Sequence, residues 1–270
     1  MRNREAFRRF FDSKDFFLLD GDGTLYLADE PLRGAVEFLG YLKEKGKKFV
    51  IISNNDSLSY RKRLALIRKI LGIRLSDENL VLPTQPLVEY LKRKGIRSFD
   101  GLVTTGLRND LIRDGIEYDE RNPDIVIVGF DTQLNYGKLS RIVAHINNGA
   151  DYVLTHIDPL CPAEGSPLPD AGSLVKTVGA ATGKNPVEIF GKPYGSTMDY
   201  ILRTNGVDGK RAVVMGDRTD TDIAMAASSG ISSILIAREK GELKKAKKAG
   251  VYADFVFPSL SLMVQSLSRK

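Results

Sequence analysis

The 270-residue sequence contains no tryptophan, one cysteine and two histidines. A single cysteine, Cys161, excludes a framework of intrachain disulfides and is typical of proteins from a reducing compartment. His145 and His156 are too few for a zinc or iron centre, so any bound metal is expected to be a hard cation held by carboxylates. The sequence also lacks an apolar run long enough to cross a bilayer and a signal-peptide pattern after its N-terminal arginines. These absences lead us to expect a cytoplasmic protein.

The residues that are present are typical of a globular protein, with 42% hydrophobic and 27% charged residues. The length is sufficient for one large α/β domain or two of ordinary size. A formal net charge of +6 favours anionic small molecules and leaves nucleic acid open as a partner. Because Glu242 interrupts the densest basic cluster, residues 240–248, we interpret that cluster as a solvated helix face.

The most informative stretch starts with four large apolar residues, 16–19, and continues as Asp20-Gly21-Asp22-Gly23-Thr24. Such an apolar run predicts a short strand buried on both faces, as in a parallel sheet. Each aspartate is followed by glycine, which permits sharp turns and close ligand approach. We therefore expect Asp20 and Asp22 in a tight loop at the carboxyl edge of a sheet, where open α/β folds bind ligands. The alternative is an ordinary Asp-Gly turn beside solvent.

Two later stretches repeat this pattern of a buried strand followed by small polar residues. A strand predicted over 48–52 precedes Ser53 and Asn54, and a strand over 212–215 precedes the segment 216–222. Helical periodicity separates the predicted strands. This alternation predicts right-handed βαβ units and therefore a doubly wound parallel sheet of the α/β class.

A second α/β unit interrupts the repeated pattern. Strands and helices alternate from about residue 83 to residue 188, and the first pattern resumes afterwards. We therefore predict a core formed by residues 1–82 and 189–270, with residues 83–188 inserted as a separate α/β domain.

Four aspartates, Asp20, Asp22, Asp217 and Asp222, are predicted to reach the same sheet edge. Carboxylates this close repel one another unless a cation compensates their charge. Mg²⁺ suits a few carboxylates, a carbonyl and retained waters. Lys192, between a glycine and a proline, adds a second positive charge. A metal and an ammonium together suit a phosphate group.

These residues resemble the motifs of the haloacid dehalogenase (HAD) superfamily, whose core is a Rossmann-like sheet. Asp20-Gly21-Asp22-Gly23-Thr24 resembles the DxDGT signature, and Ser53, Lys192 and the segment 216–222 resemble the other three motifs in the same order. The resemblance spans nearly the whole chain.

The resemblance extends to one branch of the superfamily. Ser53-Asn54-Asn55, the insertion before Lys192 and Pro169-Asp170-Ala171-Gly172-Ser173 are similar to subfamily IIA, with a C2-type cap. This branch contains 4-nitrophenylphosphatases, phosphoglycolate phosphatases and NagD-type nucleotidases. The resemblance implies that the inserted domain is a cap.

The implied activity is Mg²⁺-dependent hydrolysis of phosphomonoesters. By this resemblance Asp20 is the nucleophile that accepts the phosphoryl group, and Asp22 is the general acid and base. Mg²⁺ would be bound by Asp20, by the backbone carbonyl of Asp22 and by Asp217, with Asp222 orienting a metal-bound water.

The same resemblance assigns phosphate binding to Ser53, Asn54 and Lys192. Ser53 and Asn54 would donate hydrogen bonds to the phosphate, and Lys192 would hold the nucleophile and the phosphate together. Two of the three have a simpler alternative: Ser53 could cap a helix, and Lys192 could be a surface lysine. For Asp220, a favourable interaction with a helix dipole is the preferred interpretation.

Substrate specificity is expected to lie in the cap. The candidate loop, residues 156–173, ends at a predicted helix N-terminus whose free backbone N–H groups would suit an acceptor on the substrate. The candidate residues are Asp170, Gly172 and Ser173. We expect no direct chemistry from His156 or Cys161.

The expected substrate is a small phosphate ester, and neither nucleic acid nor a membrane is expected as a partner. Because caps of this kind often pair, a homodimer through the cap is a further expectation. The alternatives are a phosphomutase, which would protect the same aspartyl-phosphate from water, and a catalytically silent protein that binds phosphate ligands or nucleic acid on the same fold.

Overall fold

The computed structural model describes residues 2–163, 165–238 and 240–268. The chain divides into two compact units. The first comprises Met1–Ser53, Leu66–Val81 and Met198–Lys270, and the second comprises Asn54–Ala65 and Leu82–Thr197. The second unit contains the predicted insertion and extends beyond both of its ends. The predicted boundaries at 83 and 188 stay a prediction.

The helices and strands follow one another along the chain much as the periodicity predicts. The helices are α1 (Arg2–Asp12), α2 (Ala35–Glu44), α3 (Tyr60–Leu71), α4 (Thr84–Lys94), α5 (Thr105–Arg113), α6 (Tyr136–Asn147), α7 (Ala171–Thr182), α8 (Gly195–Asn205), α9 (Ala224–Ser228), α10 (Lys240–Ala249) and α11 (Leu260–Ser268). The strands are β1 (Phe16–Asp20), β2 (Tyr26–Leu27), β3 (Glu30–Pro31), β4 (Lys48–Ile52), β5 (Leu80–Val81), β6 (Ser98–Leu102), β7 (Glu117–Tyr118), β8 (Ile125–Val128), β9 (Asp151–Leu154), β10 (Leu160–Cys161), β11 (Leu168–Pro169), β12 (Glu188–Ile189), β13 (Ala212–Gly216), β14 (Ser232–Ile236) and β15 (Phe255–Phe257).

The first unit is built on a six-stranded sheet in the order β15-β14-β13-β1-β4-β5. Every pair of neighbouring strands is parallel. β1 lies in the middle, between β13 and β4, and all five of its residues are buried. The predicted doubly wound parallel sheet is confirmed, and the DxDGT-like segment leaves its central strand.

Both faces of β1 pack against helices because its side chains alternate. Phe16 and Leu18 belong to a core cluster with Met198 and Ile201 of α8. On the opposite face, the ring centroid of Phe17 lies 4.9 Å from that of Phe11 in α1. The aromatic side of α1, on which Phe7 and Phe11 are buried, therefore packs against the sheet.

The second unit has its own five-stranded parallel sheet, in the order β12-β9-β8-β6-β7. Residues 101–105 are strand-like in sequence, but β6 ends at Leu102 and α5 begins at Thr105, so the strand is displaced toward the N-terminus. The Thr104 side chain accepts a hydrogen bond from the backbone N–H of Leu107 and caps this helix. A β-branched residue that looks like strand is here a helix N-cap.

Two other features refine the sequence predictions. The lysines of α10 with described side chains are exposed, but Glu242 on the same helix is buried. Within the candidate loop, residues 156–173, β10 and β11 form a short antiparallel hairpin. Among the helices of the described ranges, none combines the length and the apolar character that a membrane span requires.

Candidate active site

Three neighbouring strands of the first unit end at the same sheet edge. Leu19 of β1 pairs with Met215 of β13, and Asp20 pairs with Ile52 of β4. The residues that follow these strands, among them Ser53, therefore lie at one level along the carboxyl edge, where parallel α/β sheets bind ligands.

The loop after β1 is a tight turn that requires glycine. The backbone N–H of Leu25 donates to the Gly21 carbonyl at 2.9 Å, and that of Gly23 donates to the Tyr26 carbonyl at 2.7 Å. Gly23 has a φ of 93°, and a Cβ atom there would lie 2.3 Å from Oδ2 of Asp217. The second glycine of the signature thus lets the Asp217 carboxylate approach the loop.

The loop after β13 brings a second carboxylate inward. A Cβ atom at Gly216 would lie 2.2 Å from the carboxyl carbon of Asp222. The buried Asp222 carboxylate accepts a hydrogen bond from the backbone N–H of Arg218 at 3.2 Å. The following turn is held by the N–H of Thr219, which donates to Oε2 of the buried Glu242 at 2.8 Å.

Asp20, Asp217 and Asp222 form one acidic cluster. Each offers a carboxylate oxygen, and the three oxygens lie within 4.8 Å of one another. Asp20 and Asp222 are buried and Asp217 is half-buried. Three carboxylates this close in a partly dry environment fit a hard divalent cation, whose charge would offset their repulsion. The three carboxylates therefore fit the expected metal. The cluster includes Asp222, which is predicted to orient a metal-bound water.

Asp22 and Ser53 lie beside this cluster in the same unit. Asp22 is exposed, and its Oδ2 atom lies 3.4 Å from the Tyr26 hydroxyl and 3.4 Å from the Ser53 hydroxyl. Both distances exceed the usual range for O–H···O hydrogen bonds. The Asp22 carboxylate is thus accessible at the sheet edge, as a group that exchanges protons with a ligand must be.

The other two predicted phosphate-binding residues, Asn54 and Lys192, belong to the second unit and contact each other. The Asn54 side-chain Oδ1 accepts from the Lys192 backbone N–H at 2.8 Å, and its Nδ2 donates to the Lys192 carbonyl at 3.0 Å. Nδ2 also donates to Oδ2 of Asp158 at 2.8 Å. Both side-chain N–H groups of Asn54 are therefore used within the protein. A direct bond from them to phosphate stays a prediction, and Asp158 is a residue that the sequence analysis missed.

The expectation of free N–H groups at the N-terminus of α7 is wrong. Ala171 donates to the Asp170 side chain at 2.6 Å, Gly172 to the Asp158 carbonyl at 2.9 Å, and Ser173 to the Asp170 carbonyl at 2.8 Å. The side chain and carbonyl of Asp170 thus satisfy two of the donors that a helix start normally leaves open.

The candidate cap residues are instead packed into the loop. Asp170 is buried, and its Oδ1 lies 2.8 Å from Nε2 of His156. A Cβ atom at Gly172 would lie 2.0 Å from the Ile157 carbonyl oxygen, and the Ser173 hydroxyl donates to the Pro159 carbonyl at 2.6 Å. These contacts hold the shape of loop 156–173, and the role of the three residues in specificity stays a prediction.

His156 is fully buried in this loop among three aspartates. Burial alone would lower its pKa, but the hydrogen bond that its ring N–H donates to Asp170 and the charges of Asp56, Asp170 and Asp158 raise the pKa to about 9. The Nδ1 atom of His156 lies 4.0 Å from Oδ1 of Asp56, which is also fully buried. A pKa in this range favours a positively charged His156 ring at neutral pH, next to the Asp170 carboxylate. That His156 performs no direct chemistry stays a prediction.

We predict that this histidine makes stability depend on pH. A folded-state pKa near 9, above the unfolded value of 6.5, means that its contribution is complete below pH 6.5 and is lost as pH rises through 9. The contribution is on the order of 3 kcal/mol. The temperature at which half of the protein is unfolded should therefore decrease as pH is raised from 6.5 to 9.

The measurement is thermal unfolding at several pH values. His156→Asn should lose the pH-dependent fall in this window, and His145→Asn, at the half-buried second histidine, should keep it. An unchanged slope in His156→Asn would show that other groups cause the dependence.

Comparison with known proteins agrees with this geometry. Residues 17–117 match the haloacid dehalogenase-like hydrolase family, and residues 189–262 match the HAD-hydrolase-like family. The solved structure of a 4-nitrophenylphosphatase from Thermotoga maritima superposes with a TM-score of 0.90 at 36% identity, over 96% of this chain and 99% of that chain.

Two further relatives are also named as phosphatases. An acid sugar phosphatase of Staphylococcus aureus is 27% identical over 94% of this chain and 98% of its own length. The structure of a glycerol phosphate phosphatase from Mycobacterium tuberculosis, solved in complex with magnesium, has a TM-score of 0.80 at 25% identity and covers 95% of this chain and 78% of that chain. These similarities confirm the predicted fold, and together with the acidic cluster they support a divalent-metal site. The chain belongs to the haloacid dehalogenase-like hydrolases and is a phosphatase of that family.

Proposed function

We propose that this phosphatase is a Mg²⁺-dependent hydrolase of small phosphorylated metabolites that works through a phosphorylated Asp20. The observation that carries the proposal is the convergence of Asp20, Asp217 and Asp222 at the end of the central strand. Asp22, exposed on the adjacent turn, supplies a second carboxyl group for proton transfer.

The acidic cluster would hold the metal. In this proposal Asp20, the backbone carbonyl of Asp22 and Asp217 bind Mg²⁺, and Asp222 orients a bound water. Because an Asp222 oxygen also lies within the cluster, a second candidate ligand set is one in which Asp222 binds Mg²⁺ directly. Bound Mg²⁺ supplies positive charge that offsets the negative charge of the phosphate oxygens.

The reaction has two steps. In the first, a carboxylate oxygen of Asp20 bonds to phosphorus, the bond from phosphorus to the ester oxygen breaks, and Asp22 gives its proton to the departing oxygen. In the second, water attacks the same phosphorus and gives a proton to Asp22. The bond from phosphorus to Asp20 then breaks, which releases inorganic phosphate and restores both side chains.

Two further groups would offset the charge that moves during these steps. Ser53 follows β4 and would donate its hydroxyl to a phosphate oxygen. Lys192, by its place in the motif order, would supply an ammonium group for the phosphoryl oxygens. Asn54 is also predicted to donate to the phosphate, but its side-chain N–H groups have partners within the protein, at Asp158 and at the Lys192 carbonyl.

The substrate class is proposed from the relatives and from the loop of the second unit. The relatives are named as a 4-nitrophenylphosphatase, an acid sugar phosphatase and a glycerol phosphate phosphatase. Loop 156–173 exposes Ile157, Leu160 and Leu168, each by at least 40% of its surface. We propose that these side chains contact the leaving group, and that Asp170 and Gly172 hold the loop in shape.

The remaining expectations belong to the same proposal. A cytoplasmic location is supported by the single cysteine. A net charge of +6 favours phosphate esters over cations. Action on small molecules without nucleic acid or membrane, and a homodimer through the cap, complete the proposal.

The proposal is tested by comparing two esters in wild type and in Asp22→Asn. Wild type with Mg²⁺ should release inorganic phosphate from 4-nitrophenyl phosphate and from glycerol phosphate without any bisphosphate activator. Loss of the general acid should slow glycerol phosphate hydrolysis by about 10³-fold. Nitrophenolate leaves without a proton, so Asp22→Asn should instead give a burst of nitrophenol, about one equivalent per enzyme, followed by slow turnover.

Asp29→Asn, a change of an exposed aspartate in the β2–β3 hairpin, is the matched control and should behave as wild type. An equal loss on both esters with no burst would overturn the role of Asp22. A requirement for a bisphosphate would favour a phosphomutase, and salt-sensitive nucleic-acid binding without turnover would favour the silent alternative.

A further inference from the structure

The side chain of Asn54 bridges both polar groups of one backbone residue. Its Oδ1 accepts from the N–H of Lys192 at 2.8 Å, and its Nδ2 donates to the carbonyl of Lys192 at 3.0 Å. Asn54 is 8% exposed and Lys192 is 5% exposed. A side-chain amide has a donor and an acceptor side by side and can therefore pair with the N–H and the carbonyl of a single residue. The backbone position of Lys192 is thus fixed by a side chain 138 residues earlier in the chain.

Asp158 fixes the orientation of that amide. The second proton of Nδ2 points to Oδ2 of Asp158 at 2.8 Å, and Asp158 is also buried. A carboxylate accepts hydrogen bonds and donates none, so it holds the NH₂ group of Asn54 on its side and leaves Oδ1 facing the Lys192 N–H. A charge-assisted bond of this kind is about twice as strong as a neutral one.

The chain before Lys192 is shaped for this contact. Gly191 has a φ of 68°, in the left-handed region that favours glycine. A Cβ atom at this position would lie 2.7 Å from Oδ1 of Asn54 and 2.8 Å from Cβ of His156. The Gly191 N–H donates to the Thr197 hydroxyl at 2.9 Å. The turn can therefore approach Asn54 closely because it has no side chain at residue 191.

We infer that Asn54 and Asp158 are positioning residues that set the place of the Lys192 ammonium group during phosphoryl transfer. The inference rests on the proposed function of Lys192 as a phosphate-binding charge. A lysine side chain has a flexible stem of four carbons. Its ammonium group is therefore well placed only if the lysine backbone is fixed and the stem is buried. Misplacement of a charged group by about 1 Å can cost on the order of 10²-fold in rate.

This inference gives Asn54 a role that differs from direct phosphate binding. Both of its side-chain N–H groups have partners within the protein, at Asp158 and at the Lys192 carbonyl. It also gives loop 156–173 a link to catalysis, because Asp158 belongs to that loop. One carboxylate of the candidate specificity loop therefore supports the amide that holds the motif lysine.

A double-mutant cycle separates the two roles. In wild type, Asn54→Ala should lower kcat for 4-nitrophenyl phosphate by about 10²-fold with a smaller change in KM. In the Lys192→Ala background the same change should cost less than about threefold, because the group it positions is absent. Direct phosphate binding by Asn54 predicts instead that the two losses multiply, and that result would overturn the inference.

The role of Asp158 is tested by a conservative change. Asp158→Asn keeps an acceptor oxygen for Asn54, whereas Asp158→Ala removes it. We expect Asp158→Ala to lower kcat by about tenfold or more and Asp158→Asn to retain activity within about threefold of wild type. Equal losses in both variants would overturn the role of Asp158.

Binding of inorganic phosphate to the Mg²⁺-loaded protein, measured by calorimetry, repeats the Asn54 and Lys192 cycle without turnover. Asn54→Ala should weaken phosphate binding only when Lys192 is present. Asn135→Ala removes another asparagine contact of the second unit, the N-cap of α6, and should change neither kcat nor phosphate affinity. Full activity of Lys192→Ala would refute the proposed function of the lysine itself, which distinguishes that failure from a failure of the positioning role.

Discussion

Asp20→Asn should abolish turnover, with kcat for 4-nitrophenyl phosphate and for glycerol phosphate reduced by about 10⁴-fold or more. Asparagine has nearly the shape of aspartate, but its amide oxygen is a poor nucleophile and carries no negative charge. Asp20 lies at the end of the central buried strand and is 6% exposed, and β1 contains no second carboxylate that could take its place. The measurement is release of inorganic phosphate with saturating Mg²⁺.

This experiment has two controls, a variant of an exposed aspartate in the same unit and a measurement of thermal unfolding. Asp29→Asn changes an exposed aspartate by the same chemistry and should retain wild-type turnover. The Asp20→Asn protein should unfold at a temperature no lower than wild type, because removal of one charge relieves repulsion within the acidic cluster. Turnover by Asp20→Asn comparable to that of wild type would refute the proposed mechanism.

The second large effect is expected from Asp217→Asn, which should raise the Mg²⁺ concentration for half-maximal activity by about 10²-fold. Asp217 contributes one of three carboxylate oxygens that lie within 4.8 Å of one another. A neutral amide oxygen is a weaker ligand for a hard cation than a carboxylate. Removal of metal by a chelator should abolish the activity of wild type, and added Mg²⁺ should restore it.

Asp220→Asn is the matched control for this change. Asp220 is exposed on the same turn and pairs with the Arg218 guanidinium at 3.2 Å. Its replacement should leave the Mg²⁺ requirement within about twofold of wild type, as for an exposed ion pair of small energy. Direct titration of Mg²⁺ by calorimetry gives the same comparison without turnover. An unchanged Mg²⁺ affinity in Asp217→Asn would contradict the assignment of the cluster as the metal site.

The core of the fold and the acidic cluster were predictable because their signals are local. The buried run before Asp20 and the run before Gly216 are long enough to identify strands, and a parallel sheet places their ends together. The two glycines that permit the approach of Asp217 and Asp222 belong to the predicted motifs: Gly23 follows Asp22, and Gly216 precedes Asp217. Each step needed only neighbouring residues and the topology of the sheet.

The role of Asn54 was not predictable in the same way. Its partners Asp158 and Lys192 are 104 and 138 residues distant in the sequence. An asparagine after a strand suits phosphate binding and backbone bridging equally. Only the distances from its amide atoms to Asp158 and Lys192 distinguish these two roles. Asp158 could have been found from its place two residues after His156 in the candidate loop, but nothing in the spacing identifies its partner.

The N-terminus of α7 shows a related difficulty. A helix start suggests open N–H groups, but Asp170 is both the N-cap and the partner of His156. The sequence contains both residues within the candidate loop, yet a pairing over 14 positions across a hairpin has no periodic signal. The displaced boundary of β6 has the same cause, because Thr104 suits a strand and a helix cap equally well.

The most direct test is mass spectrometry of the enzyme quenched in acid during turnover of 4-nitrophenyl phosphate with Mg²⁺. We expect one phosphoryl group on the peptide that contains Asp20, present in wild type, accumulated in Asp22→Asn and missing from Asp20→Asn. A phosphoryl group on a different residue during turnover would contradict the role of Asp20, and so would an Asp22→Asn protein that turns over without any phosphorylated peptide.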